Sequence, residues 1–334
     1  MSQSVLIVDG MHTAYRAHYA FPLFSKSTEI REIDRTLDFL LDSPIFLAED
    51  SEEIAGTLTR KKIEKLKERG YIELSVRRPV NLVYTFLGIL VNQMNLLRLY
   101  PQDVVVVWEG QNNFKKEIAT DYKADRAPMS EIFYEQIDEV QRLLANVEIA
   151  QTSLDGHEAD DLIGAYARKS ESESKRVFIL SSDHDMWQLI SEKVVVIKPD
   201  SDALLDLAWV NKRYQLSPKQ LPDVWALTGD ATDNIVGLKG IGESTASKWI
   251  QRWGSIEALY ASDFDKISES KKKLVLENRE MVFRNKELIR LDRDVLFELR
   301  MGKRDENSFK TICQRSGYRE SDVLRWLVVF SRQL

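Results

Sequence analysis

The sequence predicts an α/β fold in which a central, mostly parallel β-sheet is flanked by helices. Three apolar runs, VLIV (5–8), VVVVW (104–108) and VFIL (177–180), are rich in β-branched or aromatic residues and too short for helices. Helical patterns separate these runs, for example over 82–100 and 131–147. Because strands that alternate with helices usually form a parallel sheet, we expect the three runs to be buried strands of one sheet.

The composition indicates a globular protein with a sizeable core. The chain has 334 residues, of which 43% are hydrophobic. Its one cysteine, Cys313, excludes an intrachain disulfide and a cysteine-built zinc site, and we expect it to be a small buried side chain. No apolar run approaches the roughly 20 residues of a membrane span, and no basic leader precedes the first strand. We therefore expect a cytoplasmic protein without a membrane partner. We also expect a monomer.

Charge is distributed unevenly along the chain. The formal net charge is −6, but residues 236–334 carry 20 Lys and Arg against 15 Asp and Glu, a local charge of +5. Residues 1–235 therefore carry −11. This asymmetry predicts contacts to phosphates in the C-terminal part and cation ligands in the N-terminal part.

Acidic side chains follow each of the three predicted strands. The first run leads into Asp9, the second into Glu109, and the third passes through two serines to Asp183 and Asp185. A fourth run, VVVI (194–197), indicates one more strand. In an open parallel sheet, ligands bind beyond the carboxyl ends of the strands. We therefore expect these carboxylates to converge on one edge of the sheet.

A further acidic group stands at the start of a helical pattern, in GHEADDLIG (156–164). Carboxylates in a first turn stabilise a helix through its macrodipole, which accounts for one or two of them. It does not account for Glu158, Asp160 and Asp161 together, because neighbouring like charges repel. Crowded carboxylates of this kind indicate a bound cation. On a helix Glu158 and Asp161 share a face and Asp160 points elsewhere, which suggests two neighbouring cation positions.

A second acidic segment, TGDATDN (228–234), precedes a turn rich in glycine. Asp230 and Asp233 can belong to an ordinary polar turn or to the acidic site. The following residues predict a tight turn and a helix over 244–253, an arrangement that presents backbone N–H groups to a phosphate. We interpret 235–259 as a helix-hairpin-helix that contacts a nucleic-acid backbone through Lys239, Gly240, Gly242, Ser244, Thr245 and Lys248.

Seven segments, in this order, resemble the 5′-nuclease family, which includes flap endonucleases, phage 5′→3′ exonucleases of the RNase H type and the 5′-nuclease domain of DNA polymerase I. The segments are VDGMHTAYRA (8–17), VVWEG (106–110), DYKADRAPM (121–129), GHEADDLIG (156–164), SSDHDMWQLI (181–190), GDATDN (229–234) and GIGESTASK (240–248). The resemblance covers 4–22 and 82–259. It implies a PIN-like core that hydrolyses phosphodiesters near the 5′ ends of DNA or RNA in duplexes.

The resemblance also implies a site with two Mg²⁺ ions, which Mn²⁺ can replace, and a K⁺ ion at the helix-hairpin-helix. One Mg²⁺ would be held by Asp9, Glu109, Glu158 and Asp160, and the other by Asp161, Asp183, Asp185, Asp230 and Asp233, some of them through water. Glu109 stands where the family usually has Asp. Its side chain is longer than that of Asp, and the resemblance leaves open whether it would bind the metal directly or through water.

By the same resemblance Lys123 and Arg126 lie on a helix over the active site and clamp the scissile phosphate, and Asp183 is a catalytic metal ligand. Lys115 and Lys116 would steer the substrate. Tyr122 would either stack on a terminal base or pack in the interior. The implied partners are DNA and RNA–DNA hybrids with 5′ ends or flaps, and by analogy a sliding clamp, a polymerase or a single-strand-binding protein.

The predicted organisation has three parts. Residues 1–22 and 80–205 form the nuclease core, 206–334 form a helical C-terminal part, and 23–79 form an insert that the family usually lacks. The insert carries 11 Lys and Arg against 12 Asp and Glu, and we interpret it as a helical packing module, with a winged-helix-like DNA contact as the alternative. The apolar segment 323–330 is expected to pack back on the core, or else to bind a partner.

Two other functions are compatible with parts of the pattern. An Asp-x-Asp after a strand is also found in phosphatases of the haloacid-dehalogenase type. The helix-hairpin-helix pattern and the HEADD cluster argue against that class. A non-catalytic junction-binding protein is the other alternative, and the nearly complete acidic set argues against it because buried carboxylates without a cation are costly.

Overall fold

The computed structural model describes residues 4–19, 81–125, 129–316 and 318–332. It confirms the α/β fold class, and six strands form a single sheet in the order β3-β2-β1-β4-β5-β6. The strands are β1 (Ser4–Asp9), β2 (Val104–Val107), β3 (Ala150–Thr152), β4 (Arg176–Leu180), β5 (Val194–Lys198) and β6 (Ala203–Leu205). The pairs β1–β4 and β4–β5 are parallel, and the edge strand β6 is antiparallel to β5.

All four predicted runs are strands, and their burial explains their composition. Ile7, Val106, Ile179 and Val196 are completely inaccessible to solvent, as expected for strands covered on both faces. Strands β3 and β6 have only three residues each, AQT and ALL, which is too short for a recognisable periodic pattern.

The helices follow in chain order among the described residues. They are α1 (Gly10–Tyr19), α2 (Asn81–Leu97), α3 (Lys115–Ile118), α4 (Glu131–Ala145), α5 (Ala159–Ser172), α6 (Leu207–Tyr214), α7 (Leu221–Thr228), α8 (Glu243–Trp253), α9 (Ile256–Ala261), α10 (Glu269–Glu277), α11 (Arg279–Ile289), α12 (Glu306–Arg315) and α13 (Glu320–Phe330). In these parts of the chain no helix combines the length and the apolar character that a bilayer crossing requires.

The contacts divide the chain into two interleaved compact units. The first contains the described residues within 1–10, 105–128 and 152–298, and the second contains those within 11–104, 129–151 and 299–334. In the first unit α5 packs on β1 and β4, and α7 packs on α8 and α11. The division into 1–22 with 80–205, 23–79 and 206–334 stays a prediction, and the insert 23–79 lies outside the described residues.

In the second unit, α2 packs on α4 and on α13. Helix α13 contains the whole apolar segment 323–330, with Trp326 and Phe330 fully buried. The expectation that this segment packs inward is therefore confirmed within its own unit. Cys313 is also completely buried, and burial raises the pKa of its thiol to about 12.

In the helical C-terminal part, the predicted hairpin follows α6 and α7. Helix α7 is followed by a two-stranded ribbon, β7 (Gly229–Asp230) and β8 (Ile235–Val236), then by an exposed turn and α8. Gly240 has φ = +79° in that turn, a conformation that residues with a side chain rarely adopt. The glycine-rich signal in the sequence thus corresponds to a real change in chain direction.

Candidate metal centre and nucleic-acid contacts

The carboxyl ends of β1 and β4 meet at one edge of the sheet. Asp9 is the last residue of β1, and its Oδ2 accepts a hydrogen bond of 2.7 Å from Ser181 Oγ, directly after β4. Asp183 follows two residues later, and its backbone N–H donates to Ser181 Oγ at 3.0 Å. Because β1 and β4 are parallel neighbours, their ends bring Asp9 and Asp183 to the same edge, as the sequence predicted.

Glu109, after β2, lies at the start of α5. Its Oε2 accepts a hydrogen bond of 3.1 Å from the N–H of Ala159, the first residue of that helix. Glu158 occupies the N-cap position, but its own side chain makes no capping hydrogen bond. Burial of the carboxyl group and the proximity of Glu158 raise the pKa of Glu109 to about 7. The capping function is thus performed by a residue from the end of another strand, and Glu158 is available for other contacts.

Two lysines neutralise Glu158, which is almost completely buried. Lys115 Nζ lies 2.6 Å from Oε2, and Lys123 Nζ pairs with Oε1. Asn113 Nδ2 also donates to Oε1, at 2.7 Å. Burial favours the protonated acid, but the two lysines outweigh it and lower the pKa of Glu158 to about 2. Glu158 is therefore a stable carboxylate held by internal cations.

The structure differs from the prediction that Lys115 steers substrate from the surface. Only 2% of Lys115 is exposed, and its ammonium group points at Glu158. Burial opposes its charge, but Glu158 outweighs this effect and the pKa of Lys115 is raised. A buried lysine needs a partner of opposite charge, and Glu158 is that partner. Because Lys115 and Lys116 are adjacent and identical in type, the sequence gives no sign that only one of them is buried. Lys116, its neighbour, is exposed as predicted.

Tyr122 belongs to the same network. Its hydroxyl lies 3.1 Å from Glu158 Oε2 and 3.1 Å from Asp233 Oδ2, and only 2% of the residue is exposed. Burial, reinforced by Glu158 and Asp233, raises the pKa of the phenol. Of the two alternatives for Tyr122, the structure shows interior packing.

Lys123 lies close to the carboxylates, but in a turn instead of the helix implied by the family resemblance. It has φ = 54°, and its N–H donates to the backbone oxygen of Asp233 at 3.1 Å. Its Nζ is 3.6 Å from Asp233 Oδ2. The contact to Asp233 fixes this turn conformation, which the helical spacing of Lys123 and Arg126 did not reveal. Arg126 itself lies outside the described residues.

Asp160 and Asp185 are buried without comparable neutralisation. For both carboxyl groups burial and the nearby Asp183 raise the pKa well above its usual range. Asp185 is 7% exposed and Asp160 is 8% exposed. The energetic cost of ionising both groups beside Asp183 is the kind of cost that a bound cation removes.

Asp161 faces a different part of the first unit. Its Oδ1 accepts a hydrogen bond of 2.8 Å from Asp292 N–H. Burial raises the pKa of Asp161, although Lys115 and this hydrogen bond both favour the ionised form. The chain that follows α11 is not helical. Its N–H groups serve side chains instead, with Leu291 donating to Gln188 and Asp292 to Asp161. The role of Asp161 at the second metal stays a prediction.

The second acidic segment lies against the first. Asp230 Oδ2 is 3.5 Å from His184 Nε2, and its other carboxylate oxygen accepts from Thr232 N–H at 2.8 Å. Asp233 joins Glu158 through the Tyr122 hydroxyl. The polar-turn interpretation of 228–234 is correct for the local conformation, and the same turn also delivers two carboxylates to the cluster.

Sequence reasoning missed His184, which stands between Asp183 and Asp185. Its imidazole lies 3.7 Å from Asp183 Oδ1 and 3.6 Å from Asp185 Oδ1. Possible ligand atoms of these three residues lie within 4.8 Å of one another, a grouping able to hold a metal ion. Its signal in the sequence is the DHD triplet, in which an imidazole stands between the two aspartates that follow β4.

The residues predicted for the helix-hairpin-helix lie on the surface. Lys239, Gly240 and Gly242 are exposed, as are Ser244 and Lys248, and Thr245 is half-buried. Gly242 is the N-cap of α8, so that the first N–H groups of the helix lie beside the exposed turn. This surface has the geometry for contacts to a phosphate backbone.

The predicted ligand residues fit a hard divalent cation. Eight of the nine predicted ligands are linked by contacts or mutual electrostatic effects, whereas Asp161 accepts a hydrogen bond from Asp292 and lies within the electrostatic reach of Glu158; the eight are Asp9, Glu109, Glu158, Asp160, Asp183, Asp185, Asp230 and Asp233. Carboxylate oxygens are the ligands that Mg²⁺ and Mn²⁺ favour. The raised pKa values of Asp160 and Asp185 indicate where positive charge is lacking.

Family models match most of the chain. Residues 64–215 match the model described as "5′-3′ exonuclease, N-terminal resolvase-like domain", and 216–310 match "5′-3′ exonuclease, C-terminal SAM fold". The boundary falls between α6 and α7, close to the predicted start of the helical part.

Similar proteins include polymerases and nucleases. The thermostable DNA polymerase I of Thermus aquaticus is 35% identical over 232 residues, 68% of this chain and 27% of the polymerase. DNA polymerase I of Mycobacterium tuberculosis is 34% identical over 238 residues, 70% of this chain and 25% of that protein. The chain thus spans about a quarter of the length of these relatives.

Solved structures share the fold. The T5 D15 protein co-crystallised with metal ions superposes with a TM-score of 0.60 at 15% identity, covering 99% of this chain and 100% of that one. The catalytic core of Rad2 in complex with DNA superposes with a TM-score of 0.53 at 14% identity, covering 98% and 92%.

Proposed function

The chain belongs to the 5′-nuclease family, and we propose that it is a metal-dependent hydrolase of phosphodiesters at the 5′ ends of duplex or branched nucleic acid. The observation that supports this most strongly is the convergence of carboxylates from β1, β2, β4, α5 and the 229–234 turn. Family membership argues against the phosphatase, and the intact acidic set argues against a purely binding protein.

Two divalent ions, Mg²⁺ or Mn²⁺, would complete this site. Asp9, Glu109, Glu158 and Asp160 are proposed for one, and Asp161, Asp183, Asp185, Asp230 and Asp233 for the other. When bound, such ions supply an activated water and charge stabilisation for the leaving oxygen. Because Lys115 and Lys123 already balance the charge of Glu158, this carboxylate would contribute little to neutralising an ion and would mainly hold the two lysines in position. Asp160, Asp183 and Asp185 would provide most of the charge.

The protein would contribute cations for the scissile phosphate. Lys123 Nζ lies between Glu158 and Asp233. In this position it would contact a phosphate oxygen bound beside the carboxylates. Positive charge held there in advance would stabilise negative charge that develops in the transition state. Arg126 is proposed for the same role from its position in the sequence.

The exposed hairpin would bind the duplex away from the reacting bond. Lys239 and Lys248 flank backbone N–H groups at the start of α8, a combination that contacts phosphates without reading the base sequence. A K⁺ ion at this turn is part of the proposal. Lys116 would add steering charge from the surface.

The biological setting is proposed from the family. Removal of RNA primers or short 5′ flaps during replication, in the cytoplasm, fits the chemistry of the site. A sliding clamp, a polymerase or a single-strand-binding protein would be the partner, and the chain would act as a monomer. Helix α13 is packed within its own unit, which leaves less of it for a partner.

Product mapping on matched substrates tests the proposal. The purified chain would be incubated with 5′-labelled flap, nicked and RNA–DNA duplexes, with Mg²⁺ or with excess chelator. We expect short 5′ products only with Mg²⁺, and slower cleavage of a blunt duplex without a free 5′ branch. Equal rates with and without chelator, or release of label from a small phosphate monoester alone, would refute the proposal.

A further inference from the structure

His184 lies among carboxylates from two separate segments of the chain. Asp183 and Asp185 flank it, and Asp230 approaches from the 229–234 turn. A histidine beside three carboxylates can be a counter-charge, a packing residue or a ligand. The distances and the ring's surroundings distinguish these possibilities.

The Nε2 atom is spaced from two carboxylates as ligands of one ion are. It lies 3.6 Å from Asp185 Oδ1 and 3.5 Å from Asp230 Oδ2, slightly beyond hydrogen-bond length. Two ligands bound at about 2.1 Å lie about 3.0 Å apart in an octahedron and about 3.4 Å apart in a tetrahedron. Small closing movements of these side chains would therefore place all three atoms on one ion.

Aromatic neighbours hold the ring in this orientation. The imidazole packs edge-on against Trp225, with ring centroids 4.9 Å apart, and against Trp187 at 5.8 Å. Its other nitrogen, Nδ1, faces Asp183 Oδ1 at 3.7 Å. Histidines that bind metals usually direct the second nitrogen to a carboxylate or a carbonyl, which fixes the tautomer and the ring plane.

A nitrogen ligand changes which ion a site favours. Mg²⁺ binds almost entirely through oxygen and keeps several waters. Imidazole suits Fe²⁺, Ni²⁺, Cu²⁺ and Zn²⁺ best. Mn²⁺ also favours carboxylate oxygens and is the weakest binder of the first-row series, but as a transition-metal ion it accepts a nitrogen ligand more readily than Mg²⁺ does. An imidazole among aspartates should therefore favour transition-metal ions at a position where an all-carboxylate site would accept Mg²⁺ as well.

We propose that His184 Nε2 is a ligand, together with Asp185 and Asp230, for a divalent transition-metal ion, and that it gives this chain a preference for Mn²⁺ over Mg²⁺. This inference rests on the proposed metal-dependent function and specifies one position of that site. Possible ligand atoms of His184, Asp183 and Asp185 also lie within 4.8 Å of one another, close enough to hold one ion.

Pulsed electron paramagnetic resonance of bound Mn²⁺ tests the ligand directly. The wild-type protein with one equivalent of Mn²⁺ should show an electron-spin-echo modulation from an imidazole nitrogen. His184→Gln should lose that modulation, and His157→Gln should keep it. His157 is a matched control because it contacts the backbone oxygen of Asp155 and the ring of Phe114 instead of the DHD group. A wild-type spectrum without nitrogen coupling would overturn the inference whether or not the variant folds.

Calorimetric titration tests the preference. His184→Gln should weaken Mn²⁺ binding at least about tenfold, the scale of a lost or disturbed metal contact, and change Mg²⁺ affinity by less than about threefold. Equal weakening for both ions, or none, would contradict the selectivity. If the wild-type chain bound neither ion, the proposed function would fail together with this inference. Binding of both ions with no nitrogen coupling would leave the nuclease proposal intact and remove only the role of His184.

Discussion

The acidic centre contains two groups of buried carboxylates that the protein treats in opposite ways. Glu158 is paired with Lys115 and Lys123, and its pKa falls to about 2. Asp160 and Asp185 lie beside Asp183, and their pKa values rise. Burial favours the neutral acid in all three, so the difference comes from the neighbouring charges.

This contrast separates a structural part of the centre, Glu158 with its two lysines, from a part that needs a bound cation, Asp160 and Asp185. Internal lysines complete the charge balance around Glu158 without any external ion. Around Asp160 and Asp185 the repulsion from Asp183 outweighs the attraction of the lysines, and a divalent cation would reverse that balance. Carboxylates that look equivalent in a sequence can therefore have different roles, and the partners of each one reveal which.

The largest effect should come from Asp183→Asn, because Asp183 lies beside the two carboxyl groups whose pKa values are raised. Losing one carboxylate next to Asp160 and Asp185 should reduce kcat/KM on a 5′-flap substrate about 10²–10⁴-fold, because metal charge stabilisation is worth several kcal/mol. Steady-state cleavage in Mg²⁺ measures it. Asp155→Asn is the control, since Asp155 is exposed and contacts Gln111 N–H. An active Asp183→Asn enzyme would remove Asp183 from the site.

The next largest effect should be a loss of stability when the lysine-paired group is broken. Lys115→Met leaves Glu158 buried with less counter-charge, and should lower the free energy of unfolding by about 3 kcal/mol. Chemical denaturation of the metal-free protein measures this value. Adding Glu158→Gln to Lys115→Met should recover part of the loss. A double variant no more stable than Lys115→Met would show that the pair is not coupled.

A smaller change in the free energy of unfolding, of opposite sign, is expected at Asp185, which belongs to the carboxyl groups with raised pKa values. Asp185→Asn removes a like charge beside Asp183, and should stabilise the metal-free protein by about 0.5–2 kcal/mol at pH 7. The sign follows from the raised pKa of Asp185, which means that folding disfavours its ionised form. The same variant should gain less stability than wild type when Mg²⁺ is added. Destabilisation of the metal-free Asp185→Asn protein would show that the two groups do not differ as described.

The smallest effect should distinguish two adjacent lysines. Lys116 is exposed and Lys115 is buried, so Lys116→Met should change the free energy of unfolding by less than about 0.5 kcal/mol. The same denaturation experiment compares both variants. Similar losses for Lys116→Met and Lys115→Met would mean that burial of Lys115 is not the cause of its effect.

Sequence reasoning succeeded where the pattern was long or its consequence followed from topology. The apolar runs became strands, and parallel strands brought Asp9 and Asp183 together without any knowledge of distances. It failed where the outcome depended on which partner a side chain meets. Lys115 and Lys116 are identical in the sequence, and only packing against Glu158 separates them.

His184 and Lys123 illustrate the same limit. Whether the imidazole between the two aspartates can act as a metal ligand depends on Asp230, which lies 46 positions further along the chain. The helix expected around Lys123 is replaced by a turn because its N–H group donates to the backbone oxygen of Asp233, and that contact is still more remote in sequence. Tertiary contacts of this kind override local propensity and leave no periodic signal.

The position of Mn²⁺ in a crystal of the protein is the measurement that tests the central claim most directly. The claim is that an external divalent ion completes the carboxylates that the lysines leave unbalanced. Anomalous diffraction should place an ion in contact with Asp183 or Asp185, with Lys115 still paired to Glu158. Ions found only at Glu158, with Lys115 displaced, would contradict the account.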